Sequence, residues 1–97
     1  MLAVYAAGYE TNAAGKAVAK VWKNGTATPV LTDGTKDDSA SALAVAGGDV
    51  YAAGYEFSAA NVKVAKYWKG GTGTAFTATP ITDGEKDSEI RAIVLAT

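Results

Sequence analysis

The sequence predicts an all-β protein in which one stretch of chain, built from four short strands, is used twice. Three observations carry this. The segment "VYAAGYE" occurs at Val4–Glu10 and again at Val50–Glu56. The match continues from "VAKVWKNGT" (Val18–Thr26) to "VAKYWKGGT" (Val64–Thr72), where equivalent residues stand 46 positions apart. Between these matches, short runs rich in Val, Tyr, Trp and Thr alternate with clusters of Gly, Asn and Asp, the pattern of strands joined by tight turns.

The elements follow in order. Strands are expected at Val4–Glu10, Val18–Lys23, Pro29–Thr32 and Ala42–Ala46, separated by the turn-forming "NAAGK", "KNGT", "TDGTKDDS" and "AGGD". The "GGD" before Val50 is short enough for a tight hairpin. In the second copy "GTAFTATPI" replaces "ATPVL", four residues longer, and "GGTGT" (Gly70–Thr74) reads as a flexible hairpin insertion. "TDGEKD" (Thr82–Asp87) then answers "TDGTKD" (Thr32–Asp37), and "RAIVLAT" (Arg91–Thr97) answers "SALAVAG" (Ser41–Gly47). A helix over "NAAGKAVAKVWK" would suit its Ala and Lys content. Gly15, the β-branched valines and the matching "NVKVAKYWK" favour strand.

A period of 46–50 residues with four strands in each copy is the pattern of β-propeller blades. The chain is expected to be a single unit of two repeats, about 4–49 and about 50–97. Taking "SALAVAG" as the strand nearest the axis, one complete blade spans about 40–82. The other blade is split: residues 2–32 supply three strands, and Glu89–Thr97 is the candidate for its inner strand. Two blades cannot close a ring, and an open end leaves strand edges exposed. The expectation is therefore head-to-tail homo-oligomerisation with strand exchange, each copy completing its neighbour's blade. Dimers, trimers and tetramers would give four, six and eight blades; a homotrimer is favoured, then a homotetramer, with a lone monomer last.

The pattern "VYAAGYE…VAKYWKGGT…ITDG" resembles repeats of bacterial β-propeller proteins, and more loosely the "VYVAG" segment of NHL-type blades. That resemblance covers the whole chain and implies a fold without implying an activity. In size the chain is also similar to two-blade lectins that trimerise into sugar-binding rings, without sharing their sequence motif.

Composition narrows the functional classes. Ninety-seven residues support only a small core, and the apolar fraction leans on alanine. A formal charge of −1 gives no electrostatic reason to expect nucleic acid or an anionic membrane surface. No apolar run reaches the roughly 20 residues of a membrane span. The absence of Cys removes disulfides and thiolate metal sites, and the absence of His removes the commonest general base. "MLAVYAAGYE" has no basic region and no long apolar stretch, so no signal peptide is expected. A cytoplasmic chain and a piece of a longer, secreted or surface-associated protein both fit.

The candidate ligand-binding residues are Trp22, Trp68, Glu10 and Glu56, at matching places in the two copies. The tryptophans would stack on sugar faces while the carboxylates take hydroxyls; the competing role is packing between blades. Tyr5, Tyr9, Tyr51 and Tyr55 lie on one face of "VYAAGYE" and suit packing, and Lys20 and Lys66 are placed to pair with Glu10 and Glu56 across strands. Asp33–Gly34 and Asp83–Gly84 read as turns, Asp bonding local backbone and Gly supplying a positive φ. With Asp37, Asp38 and Asp87 nearby a calcium loop is conceivable, but the spacing is not that of an EF-hand. No catalytic residue, metal or cofactor is expected. The sequence thus points to a non-enzymatic, self-assembling β-propeller scaffold, natural or engineered, partnered by itself; the alternative is a multivalent lectin-like ring that binds glycans.

Overall fold

The computed structural model describes residues 3–28, 31–71 and 74–96. Every regular element among them is a strand. The first sheet holds β1 (Tyr5–Thr11), β2 (Ala17–Lys23) and β3 (Thr26–Ala27), antiparallel and in chain order. The second holds β4 (Asp38–Ala46), β5 (Asp49–Phe57), β6 (Lys63–Gly71) and β7 (Thr74–Pro80), likewise in order.

Local chemistry fixes the turns. Asn24 and Gly25 both have positive φ, 51° and 86°, so β2 reverses into β3 through the two-residue Asn-Gly turn that matches strand twist. Gly47, with φ 59°, opens the equally short turn between Ala46 and its cross-strand partner Asp49. The β1–β2 connection is held by Asn12, whose Oδ1 accepts from the N–H groups of Ala14 and Lys16. Ser58 does the same in β5–β6, its Oγ accepting from the N–H groups of Ala60 and Val62.

Strand alternation then gives each sheet two faces. Register pairs Ala7 with Val21 and Tyr9 with Ala19, so these residues share one face of the first sheet with Tyr5. In the second sheet Ala52 pairs with Trp68, and Val50 lies on the same face. The two faces meet. Ala19, Val21, Val50, Ala52 and Trp68 form one buried cluster with Leu31 and Ala40, flanked by Tyr5, Ala7 and Phe76. The alanines let the backbones approach, and the Trp68 indole, 0% exposed, fills the space between them.

Three expected strands differ from what is observed. The one expected at Ala42–Ala46 begins four residues earlier, at Asp38. Pro29 and Val30 lie outside the described residues, and Leu31 and Thr32 form bends rather than a strand. Because the Asn24–Gly25 turn reverses the chain at once, the outer strand is the two-residue β3, and Leu31 is released to plug the core at 7% exposure. Residues 89–96 of the expected Glu89–Thr97 strand carry no ladder within the chain, and Thr97 lies outside the described residues. Of the "GGTGT" insertion, Thr72 and Gly73 also lie outside; the flanking strands show it extending the β6–β7 hairpin.

Replacing Trp68 tests this core. Trp68→Ala is expected to lower unfolding free energy by about 3–5 kcal/mol, most of a small domain's stability. Urea denaturation followed by circular dichroism measures it; a loss below about 1 kcal/mol would contradict the packing.

Candidate functional site

An acidic motif follows the outer strand of each sheet, β3 in the first and β7 in the second. In β2 the outward N–H groups extend beyond the reach of the short β3, and side chains take their place. Asp37 Oδ1 accepts from the Ala17 N–H at 2.9 Å, and Asp38 Oδ1 accepts from the Ala19 N–H. The second copy repeats the device: Asp87 Oδ1 accepts from the Lys63 N–H and Ser88 Oγ from the Ala65 N–H, each at 2.9 Å. Asp33 and Asp83 close the preceding turns, accepting from the N–H groups of Thr35 and Glu85, while Gly34 and Gly84 take φ near 80°. The Thr35 hydroxyl, then its N–H, hold the Asp33 carboxyl below its ordinary pKa. The carboxylates thus serve as backbone acceptors, and among the described residues no three acidic groups gather as a metal site.

Asp38 is the exception in its surroundings. It is fully buried, and its Oδ2 has no hydrogen-bond partner. Burial raises its pKa to about 6 against the pull of the Ala19 N–H and the Thr32 hydroxyl, with the Glu56 and Asp33 charges adding to the rise. The matching position holds Ser88, which meets the same backbone need without a charge. Sequence reading grouped Asp38 with the turn acids; its exchange for Ser in the second copy was the signal of a different environment.

The four candidate ligand residues fall into two kinds. Glu10 and Glu56 are engaged with lysines across the strands, at 2.5 Å to Lys20 and 2.7 Å to Lys66. The tryptophans differ sharply. Trp68 is sealed between the sheets with its Nε1 unpartnered, so it has no face for a sugar. Trp22 pairs with Ala6 on the opposite face of the first sheet, half-buried and facing no other sheet. Three of the five tyrosines carry lysine ammonium groups near their rings: Lys23 at Tyr5, Lys69 at Tyr51 and Lys63 at Tyr55, 4.6–5.8 Å from the centroids.

Two open surfaces among the described residues bear on these side chains. One is the Trp22 side of the first sheet, with Val4 68% exposed and a polar cleft of about 310 Å³ bounded by Glu10, Asn12, Lys20, Thr32 and Asp33. The other lies on the far side of the second sheet, where Tyr51, Tyr67, Ile81, Ile90, Ile93 and Leu95 line an apolar cleft of about 320 Å³. Comparison with protein-family models, curated proteins and solved structures gives no significant match.

The buried acid makes a pH prediction. A carboxyl whose pKa is raised on folding favours the native state when protonated, so its contribution is greatest below about pH 4. That contribution is lost as pH rises from about 4 to about 6 and stays lost above. Asp38→Ser, which copies Ser88, is expected to be more stable than the parent at pH 7 by roughly 1–3 kcal/mol, the cost of a buried unpaired polar group. The difference should shrink toward pH 4. Urea titrations of both proteins across pH 4–8 measure it; a pH-independent difference would rule out Asp38 as the cause.

Proposed function

We propose that the chain is a non-enzymatic structural unit that self-assembles into a β-propeller ring, each sheet acting as a blade. The observation that carries this is the inequality of two matched tryptophans: Trp68 is 0% exposed between two sheets, while Trp22 is half-buried on a sheet face with no second sheet opposite it among the described residues. Their neighbours differ in the same way. Val50 is 0% exposed and its counterpart Val4 68%; Leu31 is 7% exposed and its counterpart Ile81 56%.

The contact inside the chain supplies the template for the one between copies. Inside, Tyr5, Val21, Leu31 and Ala40 receive Val50, Ala52 and Trp68. The counterparts of the first set are Tyr51, Tyr67, Ile81 and Ile90, which line the open apolar cleft. The counterparts of the second set are Val4, Ala6 and Trp22, which lie on the open face of the first sheet. One surface is shaped to accept the other from a second copy, and removing both from water favours the contact. The two patches differ, so the contact is head to tail and must either close or continue. Closure at six blades from three copies is the leading arrangement, then eight from four.

Light scattering is expected to give three, or else four, times the 9.8 kDa of the chain. A stable folded species at 9.8 kDa would end the proposal. Trp22→Ala is expected to weaken association by at least about 30-fold, as loss of an interface anchor does, while the β-sheet signal in circular dichroism is kept. Equal association by this variant would remove Trp22 from the contact.

A further inference from the structure

We infer that residues 89–96 of one copy add as a fourth strand to β1 of a second copy, in a register set by Gly8. This rests on the assembly proposed above and specifies the contact that would complete it.

The inference begins with two glycines in matching positions. In the second sheet the start of β4 crosses close over β5, with Ser39 opposite Tyr55 and Ala40 opposite Gly54. A Cβ on Gly54 would overlap the Ser39 carbonyl oxygen and fall 2.9 Å from its carbon and 3.0 Å from the Ala40 Cα. Glycine is required there by close backbone approach. Gly8 occupies the same place in β1, yet only ring atoms of Trp22, at 3.5 and 3.9 Å, come within 4 Å of a Cβ built on it. Among the described residues nothing within the single chain demands glycine at position 8. The space is the one a crossing strand uses.

The crossing strand is also at hand. Residues 89–96 match Ser39–Ala46 in the sequence, with Glu89 for Ser39, Ile90 for Ala40 and Leu95 for Val45. They run without a ladder, and Val94 is 84% exposed. Their start is pinned on the second sheet: the Ile90 N–H donates to the Gly54 carbonyl at 3.2 Å, and the Ser41 hydroxyl donates to the Ile90 carbonyl at 2.6 Å. From there they border the cleft on the Tyr51 and Tyr67 side of the second sheet. The chain's own β1 lies against the opposite side of that sheet, through the Val50, Ala52 and Trp68 face. The second sheet therefore separates residues 89–96 from their own β1, and the β1 they can reach belongs to another copy.

Carrying the β4–β5 register across gives the pairing: Glu89 opposite Tyr9, Ile90 opposite Gly8, Ile93 opposite Ala6 and Leu95 opposite Val4. β1 is an edge strand whose outer side has no strand beside it, so the addition satisfies both backbones at once.

The test compares Gly8→Ala with a cysteine pair in an otherwise cysteine-free chain. Gly8→Ala is expected to keep the parent's β signal but to lose the assembled mass, or to weaken association by at least about tenfold. Gly54→Ala should instead disrupt the fold of the single chain. In the Val4→Cys, Leu95→Cys double variant, mild oxidation should link copies through disulfides, seen as a ladder on a non-reducing gel, because opposed residues lie within bridging distance. An assembled Gly8→Ala protein with parental affinity, or an assembled cysteine variant that forms no link between copies, would overturn the register while leaving self-assembly standing. If Gly8→Ala failed to fold, the cysteine pair would decide alone. A parent that is monomeric would overturn both readings.

Discussion

Strands β2 and β6 have more outward-facing backbone than the outer strands β3 and β7 cover, and the rest of the architecture depends on how that shortfall is met. Asp37 and Asp38 supply acceptors to Ala17 and Ala19, and Asp87 and Ser88 do so for Lys63 and Ala65. A backbone donor left without a partner costs on the order of 1–3 kcal/mol, so these bonds anchor the connecting segment to the sheet it has just left. Held there, the chain enters β4 beside the first sheet and can only run on into a second sheet stacked upon it. Stacking then brings Leu31, Ala40 and Trp68 into one core. A motif that resembles a metal loop in composition is a device for steering the backbone.

The core achieves close packing with small side chains and a single large one. Ala19 and Ala52 are fully buried, which lets two sheets approach until one indole fills the space between them. Among the described residues two buried side-chain polar atoms are left without partners, the Trp68 Nε1 and the Asp38 Oδ2. Such a core leaves little margin. The matching surfaces on the outer faces, bearing Trp22, Tyr51 and Ile81, represent apolar area that a single chain leaves in water.

Much of this fold was legible in the residues. The alternation of Tyr and Ala in "VYAAGYE", the Asn24–Gly25 and Gly47–Gly48 turns and the Glu–Lys pairs all follow from local chemistry, and each lies where the sequence placed it within a residue or so. Leu31 and Thr32, the described part of the expected Pro29–Thr32 strand, form bends instead, since an apolar residue such as Leu31 reads the same in a strand as in a bend that plugs a core. Only contact with the second sheet distinguishes them. The difference between Trp22 and Trp68 was equally hidden, since identical residues in matching segments acquire different environments only when sheets stack. Gly8 and Gly54 drew no attention as members of "VYAAGYE", because close approach of another backbone leaves no mark on the sequence besides the glycine.

The capping of β2 has a consequence for solubility. Bare sheet edges invite indiscriminate lateral growth, the route to amyloid-like deposits. In the first sheet one margin is occupied by carboxylates and a tight turn, which cannot template another strand. The opposite margin, along β1, stays open. In the first sheet, lateral pairing is thereby confined to the β1 margin.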